Sequence, residues 1–203
     1  MNRPAMNRRG LLAALGLGPV LLAAGCAGTD APPTRWYELR AEPPEPRPAP
    51  RPGDGAGWEV SGAVRLPGSL DRDVLMVSSG SASLVPLPGH RWAEPLRESV
   101  PRRLVADLAL LRGEGLVWRA PAPSGANVTR QLRVEVDALM ADSGRRALRL
   151  QARWWLTDVQ GGGRPPTLGQ ADIEVPLADG SPDALAAGHR LAVWRLAQRI
   201  AGG

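Results

Sequence analysis

The sequence has little material for thiol, redox or metal chemistry. Its 203 residues include one cysteine, two histidines and one tyrosine, and neither phenylalanine nor lysine occurs. A single cysteine cannot form an intramolecular disulfide, and two histidines provide few ligands for a metal. The chain nevertheless contains 43% hydrophobic and 22% charged residues. This composition is typical of a folded domain and disfavours both wholesale disorder and a multi-span membrane protein.

The N-terminal region has the features of an export signal. Residues 1–25 carry three arginines and no acidic residue, and residues 11–24 form an uncharged, mostly apolar run. This run is shorter than the roughly 20 apolar residues that a membrane-spanning helix needs. We therefore predict that residues 1–25 are a cleaved signal peptide. The adjacent Arg8 and Arg9 leave open whether export follows the general secretory or the twin-arginine route.

The single cysteine lies at the end of this signal. Residues 22–26 (Leu-Ala-Ala-Gly-Cys) resemble a bacterial lipobox, although Ala23 stands where leucine is usual. The resemblance implies that Cys26 receives a diacylglycerol and an N-acyl chain, and no other cofactor is expected. Ala27 follows the cysteine where a retention signal has aspartate, which favours the periplasmic face of the outer membrane. A plain secretory peptide with an incidental cysteine is the alternative.

The basic character of the sequence belongs mainly to the signal. Removal of residues 1–25 takes away three of the 25 basic residues and none of the 20 acidic ones, so the formal charge falls from +5 to +2. The remaining chain has neither a basic block nor zinc-finger spacing. Nucleic acid is therefore not an expected partner.

The mature chain is predicted to consist of a tether, residues 26–33, and a single domain, residues 34–203. A first strand is predicted at 34–40, followed by a proline-rich linker or loop at 42–57, whose composition favours an extended conformation. Further strands are predicted at 58–66, 74–78 and 83–87. An apolar stripe then predicts a helix over 93–112, which Pro101 should kink or split.

The second half of the domain has the clearest alternation. Residues 132–138, 148–156 and 170–175 alternate apolar and polar side chains, which predicts three half-buried strands in an antiparallel meander. Arg149 and Arg153 should point outward and pair with acidic residues of both neighbouring strands. Ser181 should cap a final helix. The predicted fold is α+β, an antiparallel sheet with two main helices packed on one face.

No catalytic signature is present. The sequence has no Gly-x-Ser-x-Gly elbow, and the glycines at 161–163 are not followed by the Lys-Ser or Lys-Thr of a phosphate-binding loop. His189 lies on the apolar stripe of the final helix, which favours a core position. His90 precedes a helix and could polarise a serine. A lipid-anchored periplasmic hydrolase that uses His90 therefore stays an alternative, and a lipid-binding shuttle is another.

Three segments together with the first helix carry a resemblance to a known family. They are residues 66–72 (Leu-Pro-Gly-Ser-Leu-Asp-Arg), 75–77 (Leu-Met-Val) and 90–96 (His-Arg-Trp-Ala-Glu-Pro-Leu). The sequence resembles the paraquat-inducible protein C family, also called the ABC-type transport auxiliary lipoprotein component. The likeness covers nearly all of the mature chain and is strongest over residues 64–112.

The resemblance implies a non-enzymatic role at the periplasmic face of the outer membrane. Such a lipoprotein would dock a tunnel-forming MCE-domain protein and work with inner-membrane transport components that move lipids between the two membranes and support envelope integrity. Formation of a homo-oligomer is left open. The candidate partner-binding residues form two groups: Leu70, Asp71 and Arg72, and then Arg91, Trp92 and Glu94. The alternative is structural: Arg72 or Arg91 pairs with Asp71 or Glu94 inside the fold, and Trp92 packs under the helix.

Overall fold

The computed structural model describes residues 33–48, 55–61, 64–159 and 165–202. The predicted signal peptide, Cys26 and most of the tether lie outside the described residues. In chain order the strands are β1 (Arg35–Tyr37), β2 (Gly57–Val60), β3 (Val74–Ser79), β4 (Ser83–Trp92), β5 (Val117–Arg119), β6 (Val128–Ala141), β7 (Ala147–Asp158) and β8 (Thr167–Pro176). The helices are α1 (Leu96–Arg112) and α2 (Pro182–Gly202), and a 3-10 turn at Gly68–Leu70 precedes β3.

The strands form two sheets. The large sheet has the order β5-β2-β6-β7-β8, and the small sheet has the order β1-β4-β3. The predicted α+β class and the antiparallel meander β6-β7-β8 are confirmed. Both sheets also contain parallel pairs, since β2 is parallel to β5 and β6, and β1 is parallel to β4. Alternation within one strand does not reveal which distant strand lies beside it, so the sheets are mixed where the sequence predicted an antiparallel one.

Several predicted boundaries change. Strand β2 ends at Val60 instead of continuing to residue 66, and Arg65 makes only an isolated bridge with Glu135. Strand β4 continues past residue 87 to Trp92, because β1 pairs with its last three residues. Helix α1 is continuous through Pro101, so the predicted split is wrong. A proline removes only one backbone hydrogen bond of the helix, and this proline is itself buried among apolar neighbours.

The core lies between the helices and one face of the large sheet. Helix α2 contacts β7 and β8, and α1 contacts both α2 and β5. The inward positions of β6 and β7 include Leu132, Leu148 and Leu150, each with no exposed surface. Trp194 and Leu196 on α2 are equally buried. At about 25 cal/mol per Å² of apolar surface removed from water, this layer is the main source of stability.

The opposite face of the large sheet carries ion pairs. Arg149 Nε donates to Asp172 Oδ1 at 2.8 Å, and Arg153 pairs with Glu135 and Asp137 across β6. The hydrogen bonds from Arg149 and then Gln151 lower the pKa of Asp172 to about 2. The predicted pairing of the two arginines with acidic residues on both neighbours is therefore confirmed.

A buried ion pair connects the two helices. Two guanidinium nitrogens of Arg190 donate to the two carboxylate oxygens of Asp107, at 2.8 and 2.7 Å, and Arg190 Nε donates to the carbonyl of Arg40 at 2.7 Å. The side chain of Arg190 is 5% exposed and that of Asp107 is 1% exposed. Burial raises the pKa of Asp107 against the opposing effect of Arg190. We call this arrangement the helix clamp.

The final helix begins as predicted. Ser181 Oγ accepts a hydrogen bond from the backbone nitrogen of Ala184 at 3.1 Å, so Ser181 is the N-cap. Farther along α2, Arg195 donates to Glu45 at 2.7 Å, so this part of the predicted proline-rich segment contacts the helix.

Candidate functional site: a charged strip at the start of helix α1

The two groups of predicted site residues meet near the start of α1. The first group begins with the last residue of the 3-10 turn and leads into β3, and the second group ends β4 and leads into α1. The backbone nitrogen of Trp92 donates to the carbonyl of Asp73 at 2.6 Å, which joins the two segments. The antiparallel pairing of β3 with β4 therefore brings together residues that are about twenty positions apart in sequence.

Three exposed ion pairs cover this junction. Arg97 Nη1 donates to Asp71 Oδ1 at 2.6 Å. Arg91 pairs with Asp73, and Arg102 forms a two-pronged contact with Glu94, one bond of which measures 2.8 Å. We call these six residues the charged strip: Asp71, Asp73, Arg91, Glu94, Arg97 and Arg102. Five of the six side chains are 46–58% exposed, and that of Glu94 is 29% exposed.

Two of the predicted contact residues lie beneath the strip instead of on it. Leu70 is 6% exposed and Trp92 is 3% exposed. The Trp92 ring packs edge-on against the ring of His189 on α2, with 5.1 Å between centroids. These two side chains therefore position the strip, and the surface available to a partner consists of Asp71, Arg72, Arg91 and Glu94 together with their ion-pair partners.

The pairing within the strip differs from the structural alternative that the sequence suggested. The partners of Asp71, Arg91 and Glu94 are Arg97, Asp73 and Arg102, and none of these partners belongs to either predicted group. Glu94 and Arg102 are eight residues apart, and Asp73 meets Arg91 only because β3 pairs with β4. No local sequence pattern therefore indicated either ion pair. Arg72 is exposed and makes no ion pair within the described parts of the chain.

The charged side chains of the strip can exchange their ion-pair partners at little cost to stability. An exposed ion pair contributes only about 0–1 kcal/mol to stability, because water and salt compete for both charges. Replacement of an internal partner by a charged group of another protein therefore costs the fold little. Alternating charges along such a strip favour a particular partner by complementarity.

The two histidines have different environments. His189 Nδ1 donates to the carbonyl of Leu185 at 2.8 Å, and full burial lowers the pKa of its ring to about 4. It is therefore a neutral core residue at physiological pH. His90 Nδ1 lies 2.8 Å from the hydroxyl of Tyr37, which orients the ring within the small sheet. Among the described residues no group of three histidine, cysteine or acidic side chains is placed to hold a metal.

The layer between α2 and the hairpin of β3 and β4 is filled by side chains. A gap lined by Leu70, Trp92, Met140 and His189 has a cavity volume of about 10 Å³, which leaves room for about one water molecule at most. Larger grooves are open at the surface, including one of about 390 Å³ beside Trp155 on the outer face of the large sheet. The gap between α2 and the hairpin is therefore too small for a lipid acyl chain.

Fold and surface together define an α+β domain with a strip of exposed ion pairs at the start of its first helix. The family model described as "ABC-type transport auxiliary lipoprotein component" matches residues 37–201. The chain therefore belongs to this family, as its sequence resemblance indicated. Membership makes it an auxiliary lipoprotein of ABC-type transport and implies attachment to a membrane. No helix within the described residues is long and apolar enough to cross a bilayer.

Solved structures support the fold assignment. A crystal structure described as an uncharacterized protein aligns with a TM-score of 0.63 at 17% identity and covers 84% of this chain and 97% of its own. A Xanthomonas campestris protein of the DUF330 family aligns with a TM-score of 0.61 at 15% identity, covering 83% and 93%. The dodecameric PelC of Paraburkholderia phytofirmans reaches only 0.41 at 12% identity, which supports no inference about this chain. No curated protein matches the sequence.

Proposed function

We propose that this protein is a non-enzymatic accessory lipoprotein that is anchored at the periplasmic face of the outer membrane and docks a tunnel-forming MCE-domain protein. The observation that carries the proposal is the family match over residues 37–201. Through this partner, the protein serves an ABC-type system that moves lipids between the inner and outer membranes. Its role is to hold the end of the tunnel beside the outer membrane and so support envelope integrity.

The anchor is assigned to Cys26. The lipobox resemblance supports this assignment, and the family is a lipoprotein family. Each buried methylene of an acyl chain contributes about 0.8 kcal/mol, and two or more chains give a stable attachment. Residues 26–33 then tether the domain to the membrane surface.

Docking is assigned to the charged strip. Its six side chains are all partly or largely exposed, and three buried residues, Leu70, Trp92 and Leu96, lie beside them. A rigid support of this kind presents the charges in a fixed arrangement, which reduces the entropy lost when a partner binds. The expected partner surface carries alternating acidic and basic side chains.

The docking proposal is tested by capture of the MCE-domain partner on the immobilised, acylated protein. The Arg91→Ala variant should capture less partner than wild type. The matched control is Arg149→Ala, which removes an arginine from an equally exposed Arg–Asp pair on the large sheet. Equal capture by Arg91→Ala, Arg149→Ala and wild type would contradict docking through the strip.

The anchor is tested separately by mass spectrometry of the N-terminal peptide and by membrane fractionation. Wild type should carry a diacylglycerol and an N-acyl chain on Cys26 and sediment with outer membranes. The Cys26→Ser variant should lack the lipid and leave the membrane fraction. An unmodified Cys26 in the wild-type protein would overturn the anchor.

A further inference from the structure

The outer part of the β3–β4 hairpin has a surface unlike the rest of the domain. Residues 74–89 include no charged residue, although 22% of the chain is charged. Leu84 is 40% exposed and Val85 is 42% exposed, and both belong to the small set of large hydrophobic side chains exposed in the described residues. Neighbouring residues of a strand point to opposite faces, so both faces of β4 are open to solvent at this point.

This part of β4 also has a free edge. Strand β1 pairs only with His90, Arg91 and Trp92, so the stretch from Ser83 to Gly89 is paired with β3 alone within the described residues. At about 3.3 Å per residue, the seven residues 83–89 extend about 23 Å past Arg35, the N-terminal residue of β1. The turn between β3 and β4 includes Gly80 with a φ of +71°, a conformation that favours glycine.

The direction of β1 relates the hairpin to the proposed anchor, so the following inference rests on the proposed function. Because β1 is parallel to β4, the N-terminal end of β1 points toward the start of β4 and the hairpin turn. The chain between Cys26 and Arg35 can span at most about 32 Å. This reach exceeds the length of about 23 Å by which the hairpin extends past β1, so a membrane that holds Cys26 can also contact the hairpin turn.

We infer that the β3–β4 hairpin lies in the interfacial region of the membrane to which Cys26 is anchored, with Leu84 and Val85 in contact with lipid. Absence of charge removes the main cost of bringing a segment into a less polar medium. The serines of the turn, Ser79, Ser81 and Ser83, retain hydrogen-bonding partners among lipid headgroups and water. Contact at the hairpin in addition to the acyl chains fixes the orientation of the domain on the membrane.

The experiment measures the depth of the hairpin in the full, acylated protein. Acylation consumes the thiol of Cys26, so Leu84→Cys supplies the one free thiol for an environment-sensitive fluorophore. The labelled protein is reconstituted into vesicles of phosphatidylethanolamine and phosphatidylglycerol that contain a spin-labelled lipid quencher. The matched control is Gln170→Cys, an exposed position on β8 of the other sheet.

The lipid quencher should remove most of the fluorescence of the Leu84→Cys probe and leave the Gln170→Cys probe near its unquenched level. Equal, weak quenching of the two probes in an acylated protein would overturn the hairpin inference and leave the anchor intact. A probe shielded from aqueous iodide yet unquenched by lipid would show that protein covers the hairpin, which also overturns the inference. Absence of acylation on Cys26, checked by mass spectrometry, would overturn the anchor and the hairpin contact together.

Discussion

The helix clamp and the charged strip use the same pair of chemical groups for different purposes. In the clamp, Asp107 and Arg190 are almost fully buried and the carbonyl of Arg40 takes the remaining guanidinium contact. In the strip, Arg91 and Asp73 are about half exposed. A buried carboxylate without its partner is strongly destabilising, whereas an exposed one is solvated by water. The buried clamp therefore stabilises the fold, whereas the exposed strip is accessible to a binding partner.

The largest effect is expected from breaking the clamp. Asp107→Ala leaves the Arg190 guanidinium buried without a countercharge, so the free energy of unfolding should fall by about 3–5 kcal/mol. Urea denaturation followed by tryptophan fluorescence measures this loss. Asp73→Ala is the matched variant in the strip, and its loss should stay below about 1 kcal/mol. Similar losses for the two variants would break the comparison.

The second effect is a pH dependence that comes from His189, which packs beneath the strip. Its folded pKa of about 4 lies below the ordinary value of 6.5, so its contribution to stability is complete above pH 6.5. As the pH falls toward 4, the unfolded chain binds a proton that the folded chain does not, and up to about 3 kcal/mol of stability is lost.

Denaturation curves between pH 7 and 4 for wild type and His189→Gln test this assignment. The variant should lose less stability than wild type over this range. The raised pKa of Asp107 acts in the opposite sense, because a carboxylate whose folded pKa is raised gains stability as the pH falls. Parallel curves for wild type and variant would exclude His189 as the source of the acid sensitivity.

The third effect concerns the packing of the large sheet. A Cβ at Gly169 on β8 would lie 2.2 Å from two ring carbons of Trp154, which is the neighbouring residue on β7. Gly169→Ala should therefore destabilise the protein by about 1–3 kcal/mol through overpacking. Gly144→Ala serves as the control, because the nearest atoms to its Cβ would be side-chain atoms of Asp142 at 3.5 Å or more. A larger loss of stability for Gly144→Ala would contradict the assignment.

The smallest effect on stability is expected in the strip itself. Arg97→Ala removes an exposed partner of Asp71, so its stability should change by less than about 1 kcal/mol. Its capture of the MCE-domain partner should nevertheless decrease relative to Arg149→Ala. A stability loss as large as that of Asp107→Ala would place Arg97 among the structural ion pairs and contradict the distinction between the two regions.

The sequence predicted those features that depend on local pattern. Alternation located β6, β7 and β8, and the outward charges of Arg149 and Arg153 indicated the pairs with neighbouring strands. The N-cap at Ser181 followed from residue type and position. These features involve neighbours in sequence or in a hairpin, where physical preferences act over a few residues.

Long-range features were not predictable in the same way. The helix clamp joins residues 83 positions apart, and Asp107 lies on a helix that the sequence showed only as an apolar stripe. The parallel pairing of β1 with β4 covers the last three residues of β4. His189 on α2 packs against Trp92, a buried residue that the sequence offered as a contact residue. In each case the decisive neighbour comes from a distant segment, and no local pattern identifies it.

The central claim is that the charged strip faces an MCE-domain partner in the cell. Arg72 borders the strip and is exposed, and its replacement breaks no ion pair among the described residues. A photo-crosslinking amino acid introduced at Arg72 in the acylated protein, with one at Gln170 as the control, tests the claim directly. We predict an adduct with the MCE-domain protein from position 72 and none from position 170. Absence of the adduct at 72, or equal adducts at both positions, would contradict the claim.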